Sequence, residues 1–257
     1  MPTPAAAWIP STAALPSLAE GEVQVWWGAL DGEPWWEPLL PLLSVDEREH
    51  AARLRHRDDR LRSLAARALA RVVLAACGAG RARALRFARG PHGKPRLTNS
   101  VRDLRFNLAH SGNAVLLAMA SGREVGVDVE ELRAGIADEV TGICSPAEAA
   151  ALASLAADRR EAGFFACWTR KEAYLKARGD GLAVEPDRFD VAVDPDAEPQ
   201  LLATRHDPDD IKRWTLAALP SIPGHAATVA AMGSDWRPHC WRIQDLATSG
   251  AWLAVVE

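Results

Sequence analysis

Apolar and polar positions first alternate at Glu22–Trp27 (EVQVWW), where every second residue is valine or tryptophan. That period of two predicts a strand with one buried face. A helical period takes over after Ser44-Val45-Asp46-Glu47, a capping box in which the serine side chain and the glutamate three residues on satisfy each other's backbone N–H groups. Leu54, Leu61, Leu64, Ala68, Leu69 and Val72 continue the apolar stripe until Gly78 stops it, with a break predicted near Asp58-Asp59. LRFARGPHGKPRL predicts a strand with a glycine turn, and FNLAHSGNAVLLAMA a polar loop feeding a strand. VGVDVE is a further β-branched alternating run.

A second capping box stands at Ser145-Pro146-Ala147-Glu148, with proline at the tolerated first helical position. A long helix is expected from about Arg160 to Ala177, running into the glycine turn of WTRKEAYLKARGDGL. FDVAV, WTLAAL, HAATVAAM and the C-terminal AWLAVV then read as strands. The two helix openings lie 101 residues apart, and the order of elements after each is alike. The expected fold is therefore α+β, with two similar α/β halves, 1–121 and 122–257. The boundary falls near Ser121-Gly122, and a cleft between the halves is the natural site.

Composition narrows the class. With 257 residues, 48% apolar and 25% charged, the chain reads as a soluble globular protein. A net charge of −4 and the absence of aromatic–basic interleaving weigh against nucleic acid as a partner. The segment from Arg48 to Arg71 is nonetheless rich in arginine and suits phosphates or an acidic partner. Cys77, Cys144, Cys167 and Cys240 form no CxxC pair and no zinc spacing, so reduced, buried thiols in a cytoplasmic protein are expected. The Pro/Ala-rich N-terminus lacks the pattern of a signal peptide, and no apolar run reaches the ~18–20 residues of a membrane span.

Candidate chemistry sits on the VGVDVE strand and the long helix. Asp128 and Glu130 are two apart, so both carboxylates project to one face while Val127 and Val129 pack the other. Like charges so close repel unless a cation lies between them. Gly126 permits a close backbone approach beside them. Trp168, Glu172 and Lys176 line one stripe of the helix at four-residue intervals, with Glu172 on the flank of its apolar face. An exposed Glu–Lys pair contributes only about 0.3–0.5 kcal/mol. A third carboxylate for a cation held at Asp128 and Glu130 explains the placement better, and an all-oxygen set suits Mg²⁺. Taken alone, GPHGKP is a plain hairpin turn carrying a lysine. Asn107, His110 and Ser111 are polar groups able to meet a phosphate or ribose.

Four segments in this order, GKP at Gly93 to Pro95, FNLAHSG at Phe106 to Gly112, GVDVE at Gly126 to Glu130 and WTRKEAYLKARGDGL from Trp168, resemble the 4′-phosphopantetheinyl transferases. The likeness is to the single-chain, pseudo-dimeric type that activates surfactin and other nonribosomal peptide synthetases. It covers roughly Ser44 to Asp190, and W-x-x-K-E-x-x-x-K followed by G-x-G-L is its most specific part. The resemblance implies two α/β halves in pseudo-twofold arrangement, each a small, mainly antiparallel sheet on a long helix, with coenzyme A between them. It implies Mg²⁺ (or Mn²⁺ in its place) on Asp128, Glu130 and Glu172. Asp128 and Lys176 would also meet the diphosphate, with Glu172 and Lys176 as the catalytic pair. Gly93, Lys94 and Pro95 would line the adenine pocket. Asn107, Leu108, Ala109 and His110 would approach the adenosine phosphates, with Arg62 near the 3′-phosphate and Arg89 beside the GKP turn. His50 stands where relatives carry Lys or Arg, and Ala109 replaces a serine. The implied partners are apo acyl or peptidyl carrier proteins, met by a monomer. The segment Leu132–Cys144, with Ile136 and Ile143, is expected to help form the docking surface.

Overall fold

The computed structural model describes residues 7–11, 17–32, 34–90, 92–135, 142–179, 181 and 184–243. The predicted AWLAVV strand and Ile136 lie outside them. The chain runs β1 (Ile9–Ser11), β2 (Val23–Ala29), α1 (Val45–Ala52), α2 (Arg57–Leu74), β3 (Phe87–Arg89), β4 (Pro95–Leu97), β5 (Leu104–Ser111) and β6 (Ala114–Ser121). It continues with β7 (Val125–Glu131), α3 (Pro146–Ser154), α4 (Arg160–Arg178), β8 (Phe189–Val191), β9 (Leu201–Thr204), α5 (Asp210–Arg213), β10 (Trp214–Ala218), β11 (His225–Met232) and β12 (Pro238–Ile243). This is a mixed fold of small sheets and helices, in keeping with the α+β expectation.

The order strand, two helices, short hairpin, long hairpin occurs twice. Sheet order repeats with it: β2-β6-β5 in the first half corresponds to β7-β11-β10 in the second, and both trios are antiparallel. The long helix α2 packs on β5 and β6, while α4 packs on β7 and β11. One strand crosses over. β12 runs parallel to β2 and is followed on its outer side by β1, so the last described strand completes the sheet of the first half.

Both capping boxes are closed as the sequence predicts, at Ser44/Glu47 and Ser145/Glu148. Two local expectations are corrected. The break between the first helices falls at residues 53–56 rather than at Asp58-Asp59, which instead occupy the first turn of α2. There their charge faces the positive end of the helix. FNLAHSG is not a loop: Phe106 to Ser111 lies in β5, paired along its length with β6. Its polar residues reflect an edge position in the sheet, not a turn.

Apolar side chains fill three regions. One lies between α2 and the outer face of the first sheet, around Leu69, Val73, Phe106 and Leu117. A second joins the two sheets, where Val23, Val25 and Leu116 meet Val125, Val127, Val129 and Val229. The third lies under α4, around Tyr174, Phe189 and Trp214. Each fully buried valine or leucine contributes about 1.5–3 kcal/mol over its exposed state, so the middle region fastens the halves together.

Candidate functional site

The site is built where β7 meets α4. Gly126 makes that meeting possible. A Cβ added there would stand 2.3 Å from the Ala173 carbonyl and 2.2 Å from the Ala177 amide of α4. No side chain fits, so strand and helix touch backbone to backbone. The residues two and four further along that face of the strand are Asp128 and Glu130, which the contact brings to the helix stripe of Glu172 and Lys176. Thr169 and Thr228, buried and 3.2 Å apart through their hydroxyls, fix the register of α4 against β11 directly across from Asp128.

Asp128 is 2% exposed. Its Oδ1 accepts from Lys176 Nζ at 2.5 Å, while its Oδ2 is buried and meets no hydrogen-bond donor among the described residues. Burial pushes the Asp128 carboxyl up to about 7 against the pull of Lys176, and the charges of Glu130 and Glu172 add to the rise. For Lys176, burial works against the ammonium, yet Asp128, Glu172 and Glu130 together hold it above the ordinary lysine value. Glu130 accepts from Ser111 Oγ at 2.9 Å. Glu172 is half-buried and accepts no hydrogen bond from a described residue. A buried, unsatisfied carboxylate oxygen flanked by two more carboxylates is a donor set that fits a hard divalent cation. The three acids stand farther apart than 4.8 Å as a group. Among the described residues, only Cys144, Glu148 and Cys167 gather three ligating atoms that closely.

Helical geometry separates the two lysines of the WTRKEAYLK run. Lys176 shares the stripe of Glu172. Lys171 is 1% exposed, pairs with Glu148 at 2.7 Å and donates to the Pro186 and Phe189 carbonyls. It belongs to the core under α4. The helix ends at Gly179, whose positive φ of 76° closes the last turn. Gly181, also at positive φ, packs on His92, so the chain just past the end of α4 touches the GKP hairpin there.

Two cavities adjoin this cluster. One of about 280 Å³ is lined by His50, Ser63, Ala66, Arg67, Pro95, Asn107, Leu108, Ala109, His110 and Lys176. The other, about 320 Å³, is lined chiefly by Ser44, Asp46, Glu47, Arg53, Arg71, Arg86, Phe87, Arg89 and Gly93, and the two share His50, Arg67 and Pro95. Most of the sequence-predicted contact residues thus converge on one basic groove that begins at Lys176. Two do not. Lys94 turns its ammonium away, to Glu124 at 2.8 Å and the Ala177 carbonyl at 2.9 Å, bracing the hairpin against α4. Arg62 lines neither cavity and is held by Asp59 and the Gly112 carbonyl. Asn107 has a structural task as well: its Oδ1 accepts from Val127 N–H at 2.9 Å, bridging β5 to β7.

The residue sequence reading missed is Arg67. It faces both cavities and has no ion-pair partner among the described residues. Burial lowers its pKa, and nearby Arg89 and Arg71 lower it further against the pull of Glu47. Its signal was present only as one arginine among many in α2. His50 is likewise held below the ordinary imidazole value, by desolvation and then by Arg89, Arg67 and Arg53. His110 is lowered by desolvation and by Arg62. A groove so loaded with positive charge is short of an anion.

Residues 27–122 match the family described as 4′-phosphopantetheinyl transferase, N-terminal, and residues 124–230 match the 4′-phosphopantetheinyl transferase superfamily. The 4′-phosphopantetheinyl transferase HetI of Nostoc is 33% identical over 91% of this chain and 97% of its own. The 4′-phosphopantetheinyl transferase Sfp of Bacillus subtilis is 27% identical over 78% of this chain and 87% of its own. Among solved structures, the Thermotoga maritima holo-[acyl-carrier-protein] synthase covers 43% of this chain and 63% of its own at 20% identity, with a TM-score of 0.36. With both halves matched in sequence order, the chain belongs to the 4′-phosphopantetheinyl transferase superfamily, in its Sfp-like group of enzymes.

Proposed function

We propose that the protein transfers the 4′-phosphopantetheine group of coenzyme A to a serine of an apo acyl or peptidyl carrier protein, releasing adenosine 3′,5′-bisphosphate. The observation that carries this reading is the buried Asp128–Lys176 pair, with its unsatisfied carboxylate oxygen, at the end of a basic groove. Coenzyme A is long and polyanionic, and the groove offers arginines and histidines along its length with carboxylates and a lysine at one end. The first half, 1–121, supplies the nucleotide contacts, and the second, 122–257, supplies the acids and the catalytic helix. The repeated element order supports a pseudo-twofold arrangement with the substrate between the halves.

Asp128, Glu130 and Glu172 would hold Mg²⁺, or Mn²⁺ in its place. When bound, that ion neutralises diphosphate charge as it builds on the leaving group. Lys176 adds its ammonium to the same charge at close range. The serine hydroxyl attacks the phosphorus next to the pantetheine. A P–O bond forms there, and the bond to the bridging oxygen of the leaving nucleotide breaks. Glu172, half-buried and free of hydrogen-bond donors among the described residues, takes the serine proton directly or through a water. His50, Arg67, Arg89 and His110 bind the adenosine phosphates, and Gly93 and Pro95 shape the wall for the base. Positioning and electrostatics account for most of the acceleration, because the protein forms no covalent bond of its own. The acidic surface usual around a carrier serine would be drawn to the arginine-rich face. Leu132, 43% exposed just before Arg133, supports a docking role for the segment up to Cys144. No helix of the described residues is long and apolar enough to cross a membrane. Four free thiols suit a reducing, cytoplasmic setting, and one chain holding both halves suits a monomer.

The test is direct. The protein is incubated with coenzyme A, Mg²⁺ and an apo carrier domain, and the carrier is weighed. A gain of one phosphopantetheine is expected, falling by about 100-fold or more in rate with Glu172→Ala. Coenzyme A consumption without a heavier carrier overturns the transfer reading, and an unchanged rate in the variant overturns the role of Glu172.

A further inference from the structure

Away from the groove, Cys144 and Cys167 stand with their sulfurs 4.0 Å apart. Cys144 immediately precedes Ser145, the N-cap of α3, while Cys167 sits on the buried face of α4. Glu148 completes the cluster, and its ligating oxygen lies within 4.8 Å of both sulfurs. A soft metal is the first use such a trio suggests, but Glu148 is already committed. Its Oε2 takes the Ser145 amide and Lys171 Nζ, each at 2.7 Å, and its Oε1 takes the Val191 amide at 2.7 Å. Binding a metal would break a closed capping box and a buried ion pair. Among the described residues the two sulfurs carry no such commitments, and they are close enough to bond after a shift of about 2 Å.

The geometry points to a peroxide-sensitive dithiol: Cys144 reacts first, and Cys167 resolves it into an intrachain disulfide. Several features order the pair this way. Cys144 is half-buried, whereas Cys77, Cys167 and Cys240 are buried, so an oxidant in solvent reaches Cys144 first. The Cys167 thiol can donate to the Cys144 sulfur, which lowers the Cys144 pKa and favours its thiolate. Glu148 disfavours both thiolates and Lys171 offsets part of that, so the order of the pair rests on access and on the sulfur–sulfur contact. Burial meanwhile pushes Cys77 up to about 11 and Cys240 up to about 12, which keeps them as inert thiols.

The chemistry balances with hydrogen peroxide as oxidant. The Cys144 thiolate attacks one peroxide oxygen, the O–O bond breaks, and after protonation a sulfenic acid and one water result. The Cys167 sulfur then attacks the sulfenyl sulfur, an S–S bond forms, and a second water leaves. Two thiols have lost two electrons and the peroxide has gained them. Cys167 is fixed in the middle of a helix, so the segment bearing Cys144 moves. The bond closes a loop between residues 23 apart and ties the start of α3 to the helix that carries Glu172 and Lys176. A thiol reductant reverses it.

The experiment uses the reduced full-length protein and does not depend on the transfer reaction. After brief treatment with a small excess of hydrogen peroxide, remaining thiols are alkylated under denaturing conditions and the protein is weighed. The expected product has lost two hydrogens and carries two alkyl groups in place of the four on the untreated protein. Digestion links the Cys144 peptide to the Cys167 peptide, and dithiothreitol restores four alkylation sites. Cys144→Ser abolishes the cross-link, and Cys167→Ala leaves a sulfenic acid on Cys144 that dimedone traps. Four alkylated thiols after treatment, a cross-link to Cys77 or Cys240, or irreversible oxidation of Cys144 without a cross-link each overturn the proposal. So does protection of both thiols by one equivalent of Zn²⁺ at a dissociation constant below micromolar, which assigns the cluster to a metal.

Discussion

Each half of the molecule opens its helical pair with the same polar device, and the two copies differ in one oxygen. In the first half Ser44 and Glu47 close a capping box, and Arg71 of α2 pairs with Glu47 at 2.8 Å. Arg71 then donates to the Ala82 and Leu85 carbonyls and lies over the Phe87 ring at 5.1 Å. In the second half Ser145 and Glu148 close the box, Lys171 of α4 pairs with Glu148, and Lys171 donates to two carbonyls and lies over the Phe189 ring at 4.4 Å. The difference is at the remaining carboxylate oxygen. Glu148 Oε1 takes the backbone N–H of Val191 in β8, while Glu47 Oε1 is buried without a partner among the described residues. In the second half a strand closes over the glutamate. In the first, the corresponding corner is left open as the cavity lined by Glu47, Arg71, Phe87 and Arg89. The repeat therefore preserves the scaffold and varies its closure: space filled by backbone in one half is room for a ligand in the other.

The largest expected effect tests that difference directly. Lys171→Ala strands a buried glutamate and should cost about 3–5 kcal/mol in urea unfolding. Arg71→Ala should cost about 1 kcal/mol less, because removing the guanidinium opens Glu47 to water from the adjoining cavity; equal losses, or a greater one at Arg71, would break the comparison. Next comes Gly126→Ala, which pushes β7 off α4 and should cost about 1–3 kcal/mol. Its transfer rate should fall well beyond that, measured where the variant is fully folded, because Asp128 moves away from Lys176. Ser44→Ala and Ser145→Ala should each cost about 1 kcal/mol, since both boxes are complete. A large gap between them would show that the two caps carry unequal loads. Smallest in stability is Arg67→Ala, within about 0.5 kcal/mol, because the residue has no ion-pair partner among the described residues to lose. Its KM for coenzyme A should nonetheless rise about 10-fold or more, as expected for a charge-assisted hydrogen bond to phosphate. An unchanged KM would mean that the open corner holds no anion.

Local, periodic features were the ones legible in the sequence. Both capping boxes, the long α4 with its Gly179 stop, and the β7 strand with Asp128 on the face away from Val127 all follow from spacing alone, and Gly126 proved to be the contact point. What failed depends on partners far along the chain. Lys94 looks like a groove residue until Glu124 and the end of α4 are placed beside it. Helical spacing already sets Lys176 apart from Lys171, but the partner that holds Lys171 in the core, Glu148, lies 23 residues away and is out of reach of local pattern. FNLAHSG reads as a loop because its polar residues serve an unpaired sheet edge, where Asn107 and Ser111 bridge to β7. Cys144 was expected to be buried, yet its place just outside a helix cap leaves it half-exposed.

The parallel strand β12 has a further consequence. Severing the polypeptide between Ser121 and Gly122 would not release two self-sufficient modules. The leading fragment would lack a member of its own sheet and present β2 as a row of bare amides and carbonyls, an invitation to mispairing. The trailing fragment would carry a ribbon with nowhere to dock. Each piece is the other's missing component, so prying the halves apart requires unzipping a ladder of main-chain bonds.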